Sequence, residues 1–333
     1  MALIITKKHS SGFSLVELMV VLVILGIVSV GTITAITSQN RVYHSEEDLI
    51  DAQMNARIAA DRISFLLRMA GTGCSDSFGK KLDTGNLATI GGTGIAANPT
   101  TSMFVIDDNS VGTPDQLTLV GAVRYVGNIT SIPANNQIKL QCNETPKIDG
   151  TATKKYIFIT PQDENRYRTI SGIAGTTTPT LTLSTILAVD EKKELDDALT
   201  AGVVLDVYQV QAFTIRLVDS DNIRSLRIDG NAIASSTEMN VADNIQDLQF
   251  QYGIDTTTPK PDGQIDSWVD NPTDITQIRA VRFFILARTS KIDKEYTDTK
   301  TYDIAGGSVG PFNDHTHRYL LESTIAIRNR NYN

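Results

Sequence analysis

The chain has 333 residues, 30 Lys and Arg against 38 Asp and Glu, a net charge of −8, and 41% hydrophobic residues. That apolar share supports a buried core and argues against disorder of the whole chain, while the acidic balance argues against nucleic acid as a partner of the bulk surface. Cys74 and Cys142 are the two cysteines and form no Cys-x-x-Cys pair, so thioredoxin-like redox chemistry and Cys-rich zinc sites have no support. An oxidising compartment would favour a Cys74–Cys142 bridge; two unrelated buried thiols are the other reading.

In chain order, residues 1–12, MALIITKKHSSG, end in Lys7, Lys8, His9 and small polar residues. Phe13 to Val30 is then almost continuously apolar. As a helix that run spans roughly 27 Å, and continuation to Ile36 exceeds a ~30 Å hydrocarbon core. The basic flank places the N-terminus in the cytoplasm and the remainder beyond the membrane. A secretion signal shares the basic start and apolar centre, but its apolar core is shorter. A plain anchor explains the length and not Glu17, an acid costing on the order of 3 kcal/mol within a membrane.

Apolar residues continue at helical spacing through Ile36, Tyr43, Ile50, Met54, Ile58, Phe65 and Met69, opposite the charged RVYHSEEDLIDAQ, until Gly71 and Gly73. The large apolar stripe beyond residue 40 is expected to be the face on which a globular domain packs. After Cys74, short β-branched and aromatic runs predict strands at TSMFVID, DQLTLVGA, QIKLQC, KYIFIT, TLTLST, VVLDVYQVQAFTIRLV, IRSLRID, IQDLQFQYGI, IRAVRFFILAR and STIAIRNR. Leu248, Phe250 and Tyr252 alternate with Gln249 and Gln251, which predicts one wet face. Two further segments read as small helices, VDEKKELDDALTAG and STEMNVADNIQD, the second with Asp243 or Asn244 as cap. GNLATIGGTGIAANPTT reads as a loop. Regular strand–helix alternation is missing, which disfavours a doubly wound parallel sheet.

Catalytic chemistry is thinly supplied. Asp314, His315 and His317 in DHTH put both imidazoles on one side of a strand, as a metal site could use, but solvated loop residues explain them as well. Gly306 to Gly310, GGSVG, matches the nucleophile pattern on paper, but Pro311 follows where the elbow needs a helix. In GIDTTTPKPDGQIDSW, Asp255, Asp262 and Asp266 around Gly263 invite calcium, although the loop breaks EF-hand spacing and lacks its closing Glu; a hairpin loop is the alternative. Trp268 in the same stretch reads equally as a surface contact or a core plug.

The run GFSLVELMVVLVILGIV resembles the leader of type IV prepilins and type II secretion pseudopilins. The block AQMNARIAADRISFLLRMAGTGC, with VADNIQDLQFQYGID, ITQIRAVRFFILART and STIAIRNR, is similar to PilW-like minor pilins. That resemblance implies cleavage by a prepilin peptidase between Gly12 and Phe13, N-methylation of Phe13, and an assembly role for Glu17. A new α-amine at Phe13 lies about one turn from Glu17, so a carboxylate could pair with a neighbour's amine, since a buried unpaired charge is costly. The expected fold is α+β and pilin-like, a long N-terminal transmembrane and amphipathic helix on a mainly antiparallel β-sheet domain. The expected divisions are a leader 1–12, a membrane span 13–36, its amphipathic continuation 37–72, and an extracytoplasmic domain 73–333 of one or two subdomains. The resemblance implies no enzyme and no cofactor other than the calcium just considered. Implied partners are the peptidase, other minor pilins, the major pilin and an inner-membrane assembly platform. The implied location is the inner membrane and then the pilus or its tip. A type II secretion pseudopilin of the J type, and an adhesin or DNA-binding tip subunit, remain alternatives.

Overall fold

The structure is a computed structural model and describes residues 14–70, 104–107, 112–142, 155–159, 167–184, 186–221, 223–229, 238–258, 262–274 and 277–327. Helix α1 runs Leu15–Met69, and the chain divides into two units, Met1–Ile50 and Asp51–Asn333. In the first unit every described side chain up to His44 is exposed, and this part of α1 is long and apolar enough to cross a membrane. Three of its hydroxyls are satisfied within the helix: those of Thr32, Thr34 and Thr37 donate to the carbonyls of Val28, Val30 and Ile33, each at 2.9 Å.

In the second unit the end of α1 packs through Ala52, Ala56, Ala59, Ala60, Ile63, Leu66 and Leu67. These recur three and four apart, and alanine lets a helix backbone lie close to a sheet. The expected packing stripe is therefore wrong in this unit. Met54, Ile58 and Phe65 remain 60%, 45% and 47% exposed. At about 100° per residue they lie roughly half a turn away from the alanine face.

Two sheets meet this helix, and all their pairings are antiparallel. The first comprises β1 (Phe104–Asp107), β2 (Gln116–Ala134), β3 (Gln137–Gln141), β4 (Lys155–Ile159), β5 (Tyr167–Ala174), β6 (Thr180–Leu183), β7 (Asp206–Ser220), β8 (Ile223–Asp229) and β9 (Glu238–Asp243), in the order β1-β2-β3-β6-β5-β4-β7-β8-β9. Because β2 also pairs with β7, strands β2, β3, β6, β5, β4 and β7 close into a ring. A ring this small is filled by side chains. Ile129, Ile138, Leu140, Cys142, Ile170, Leu181, Leu183 and Val207 form that separate core. Helix α2 (Val189–Thr200), the expected VDEKKELDDALTAG helix, adds Leu195 to it, and Arg168 on β5 holds Glu191 in its first turn. At Gly127 a Cβ would come within 2.6 Å of the Gln141 carbonyl and 2.7 Å of Cys142 Sγ, so this close strand approach requires glycine.

The second sheet has the order β11-β10-β12-β15, from β10 (Ile245–Ile254), β11 (Ser267–Val269), β12 (Ile278–Arg288) and β15 (Arg318–Ala326). Leu248, Phe250, Tyr252, Val281, Phe283, Ile285 and Ile325 join the α1 core. On the opposite face Phe284, Leu286 and Leu320 pack under Tyr302, Ile304, Val309 and Phe312, carried by the hairpin β13 (Tyr302–Ile304) and β14 (Gly307–Val309). The expected wet face of β10 is consequently dry, with Gln249 2% and Gln251 7% exposed. Residues 112–115 lie against β10: Asp115 donates its amide to the Leu248 carbonyl at 2.8 Å, and its side-chain carboxylate Oδ2 accepts from the Phe250 amide at 2.8 Å. Gln249 donates to the Thr113 carbonyl, and Gln251 donates to Asp270 and accepts from Arg282. Both amides are buried because they are satisfied.

The expected STEMNVADNIQD helix is corrected in its described part, where β9 pairs with β8. Asp243 does not cap a helix but accepts from Ser225 and Asn240, and Asn244 turns the chain with φ of 58°. Strands β5, β11, β13 and β14 were not among the expected ones; each is short or interrupted by glycine, which weakens the alternation signal.

Candidate functional site: the N-terminal helix and the buried carboxylate centres

Gly12, Phe13 and Cys74 lie outside the described residues. Glu17 stands exposed in the first turn of α1, where a carboxylate is favoured by the helix dipole. Cys142 is buried in the ring core, and burial pushes its thiol pKa up.

The Asp-rich turn is occupied by its own chain. Asp255 is buried and accepts from the amides of Gly263 at 2.8 Å and Thr257 at 3.2 Å and from Arg279 Nε at 3.2 Å. Burial works against its ionisation, yet the two amides and then Arg279 hold its pKa below the usual carboxylate range. Asp266 accepts from the amide and hydroxyl of Thr256, and Asp262 from the amide of Gln264. The three carboxylates therefore staple a loop. Among the described residues, no three His, Cys, Asp or Glu side chains group as a metal site. Trp268 on β11 is half-buried, with the Arg282 guanidinium 4.2 Å from its ring centroid.

Gly306 to Gly310 is the β13–β14 turn and end, with Ser308 donating to Asp303 rather than standing at an elbow before a helix. His315 and His317 sit before β15, and the structure gives them different partners. His315 Nδ1 lies 2.6 Å from the Tyr296 carbonyl, while His317 stacks on the Tyr296 ring at 3.7 Å and approaches Asp293 at 3.3 Å.

One centre, apart from Asp314 of the DHTH stretch, carried no sequence signal beyond scattered polar letters. Asp298 is wholly buried and accepts from Arg318 Nη1 at 2.8 Å, Tyr302 Oη at 3.1 Å, Tyr296 Oη at 3.3 Å and the Lys300 amide at 3.2 Å. Arg318 is only 2% exposed in its side chain, reaches Asp314 at 2.5 Å and Gln246 at 2.6 Å, and lies 3.8 Å from the Phe312 ring centroid. Asp314 is held below the usual carboxylate range by its hydrogen bond from Arg318. Burial, with Asp298 alongside, pushes Tyr296 and Tyr302 up. The cluster ties the excursion between β12 and β15 to the sheet. Its carboxylates are committed to structural partners, which suits a scaffold.

Residues 209–329 match the family model of Type IV Pilus-assembly protein W, and residues 7–33 match the Prokaryotic N-terminal methylation motif. Both point to a structural pilus component: the chain is similar to PilW-like type IV minor pilins, with a prepilin-type apolar N-terminus. The first match covers most of β7 and all of β8 to β15, so the other strands of the ring and the block from Ala52 to Cys74 lie outside it. No curated protein and no solved structure matches the chain.

Proposed function

We propose that this PilW-like chain acts at the priming or tip stage of a type IV pilus, by packing against other pilins and without turning over a substrate. The observation that carries the reading is the division of labour on α1: alanines face its own sheets, whereas Met54, Ile58 and Phe65 face outward. Large apolar side chains left in water favour a neighbour that covers them. In this reading residues 13–36 span the inner membrane with the N-terminus cytoplasmic, and residues 37–72 continue the helix. Residues 73–333 form the extracytoplasmic domain. A prepilin peptidase cleaves after Gly12, Phe13 becomes N-methylated, and Glu17 pairs with the terminal amine of a neighbouring pilin. The major pilin, other minor pilins and the membrane assembly platform are its partners. Cys142 is a free thiol buried in the ring core, which favours two separate thiols over a Cys74–Cys142 bridge, and the Asp255 turn is held by its own amides and Arg279.

Mass spectrometry of the mature chain and immunoblotting of sheared filaments test this together. A chain starting at N-methylated Phe13 and present in filaments is expected. Glu17→Val should leave membrane insertion unchanged and reduce incorporation, as should Met54→Lys with Ile58→Lys. A different N-terminus, or normal incorporation of all these variants, would refute the reading.

A further inference from the structure

The geometry points to the outer edge of β15 as a docking site for an extended strand of a different polypeptide. It goes beyond helix packing and does not depend on it. In the ladder between β12 and β15, Ile327 donates to the Arg279 carbonyl at 2.8 Å and Thr289 to the His317 carbonyl at 2.9 Å. Both pairs obey the register that matches Ala280 with Ala326 and Arg288 with Arg318. In an antiparallel pair the hydrogen-bonded residues alternate, so odd-numbered residues of β15 bond inward to β12. The amides and carbonyls of Leu320, Glu322 and Thr324 then point outward, and β15 is the last strand of its sheet. Among the described residues nothing bonds to them, and the side chains of Glu322 and Thr324 are exposed.

Native edges are usually blunted by shortness, bulges, proline or inward charge. Strand β15 has nine residues, an unbroken register and no proline, and its one inward charge, Arg318, stands at its first position and leaves the edge from Leu320 onward open. By contrast, the opposite edge of the same sheet is the three-residue β11. An incoming strand would complete the outward ladder and cover Leu320 on one face and Leu321 on the other, both half-buried at present.

Charge selects the occupant. A second copy pairing antiparallel along the whole edge would set Glu322 opposite its own counterpart, and like charges directly opposite destabilise a pair. Glu322 is half exposed, with Arg282 only at 3.5 Å. The fitting partner is a heterologous strand with alternating apolar residues and a Lys or Arg opposite Glu322.

The test uses the full chain in pilus-forming cells, with the photocrosslinker p-benzoyl-phenylalanine replacing Thr324 and the crosslinked peptides sequenced. The expected product joins β15 to an extended segment of another polypeptide carrying a basic residue in register with Glu322. Its yield should fall roughly fivefold with Glu322→Lys, and roughly tenfold or more with Glu322→Pro, which removes only an outward amide. Hydrogen exchange of the β12 amides checks that the sheet survives each variant; if the proline opens it, Glu322→Lys alone decides. No crosslink, a crosslink to a second copy of this chain or to another segment of the same chain, or a yield indifferent to the valid variants would overturn the proposal. A crosslink obtained while the chain is missing from filaments would instead sink the pilus reading and leave the docking edge standing.

Discussion

Removing the Asp298 carboxylate should be among the most damaging single changes in the second unit. Asp298→Ala takes away the partner of an Arg318 side chain that is 2% exposed, along with the acceptor for two tyrosine hydroxyls and the Lys300 amide. Breaking a buried ion pair from one side costs about 3–5 kcal/mol, because the remaining charge is stranded. Asp314, at 2.5 Å from Arg318, keeps part of that charge paired and places the cost toward the lower figure, although its 44% exposure screens the compensation. At roughly 2–4 °C per kcal/mol for a domain of this size, the melting temperature should fall on the order of 10 °C. Thermal unfolding of the full chain in detergent, followed by near-ultraviolet circular dichroism, reads it. The double change Asp298→Asn with Arg318→Met removes both charges and keeps an acceptor for the tyrosines, so it should cost less than about 2 kcal/mol. If Asp298→Ala shifts melting by less than about 2 °C, or the double variant is the worse of the two, the ion pair is not what holds the β12–β15 excursion.

Two further changes probe the dry side of β10 and the ring of strands. Asp247 is buried, and burial pushes its pKa up despite bonds from Gln249 and from the Leu248 and Gly112 amides. A raised folded pKa means that its stabilising contribution is complete below the unfolded value near 3.9 and is lost as pH rises through the folded value. Asp247→Asn, which cannot titrate, should therefore cost more at pH 4 than at pH 7 by urea unfolding, and the opposite order would contradict this. Gly127→Ala should cost about 1–3 kcal/mol by overpacking against the Gln141 carbonyl and Cys142, read as a lowered urea midpoint; an unchanged midpoint would show that β2 and β3 can separate freely.

What could be read from the letters and what could not follow one physical rule. Strands whose alternation faces a single core, such as β3 and β8, were located closely, and so was β12, whose unbroken apolar run reflects burial on both faces. The dryness of Gln249 and Gln251 was hidden, because it depends on residues 112–115 and on a hairpin more than fifty positions downstream, and no local pattern records such long-range cover. The closed ring was hidden for the same reason: β2 must reach both β3 and β7, and only the second pairing turns an open sheet into a closed one. Of the site residues, Glu17 stood out because a charge in an apolar run is conspicuous. Asp298 did not, since an aspartate in a polar stretch looks solvated until Tyr296, Tyr302 and Arg318 are folded over it. The Asp-rich turn was conspicuous but its hydrogen-bond partners were not legible, because carboxylates suited to a cation serve equally well as acceptors for backbone amides.

The most instructive reversal is in α1. Counting large apolar residues selected Met54, Ile58 and Phe65 as the packing face, whereas Ala52, Ala56, Ala59 and Ala60 are the ones buried. Close approach of a helix to two sheets is limited by side-chain size, so alanines take the inner position from Ala52 to Ala60, and Ile63, Leu66 and Leu67 fill it only nearer the helix end. Fully burying a large apolar side chain yields about 1.5–3 kcal/mol, so three half-exposed ones retain several kcal/mol that this fold does not use. A sequence shaped only for its own stability would have placed polar residues there. Retaining them fits the proposal that a second helix completes the packing; under it one element meets two demands, with the inner face of alanines, Ile63, Leu66 and Leu67 holding the domain and the outer residues left for a neighbour.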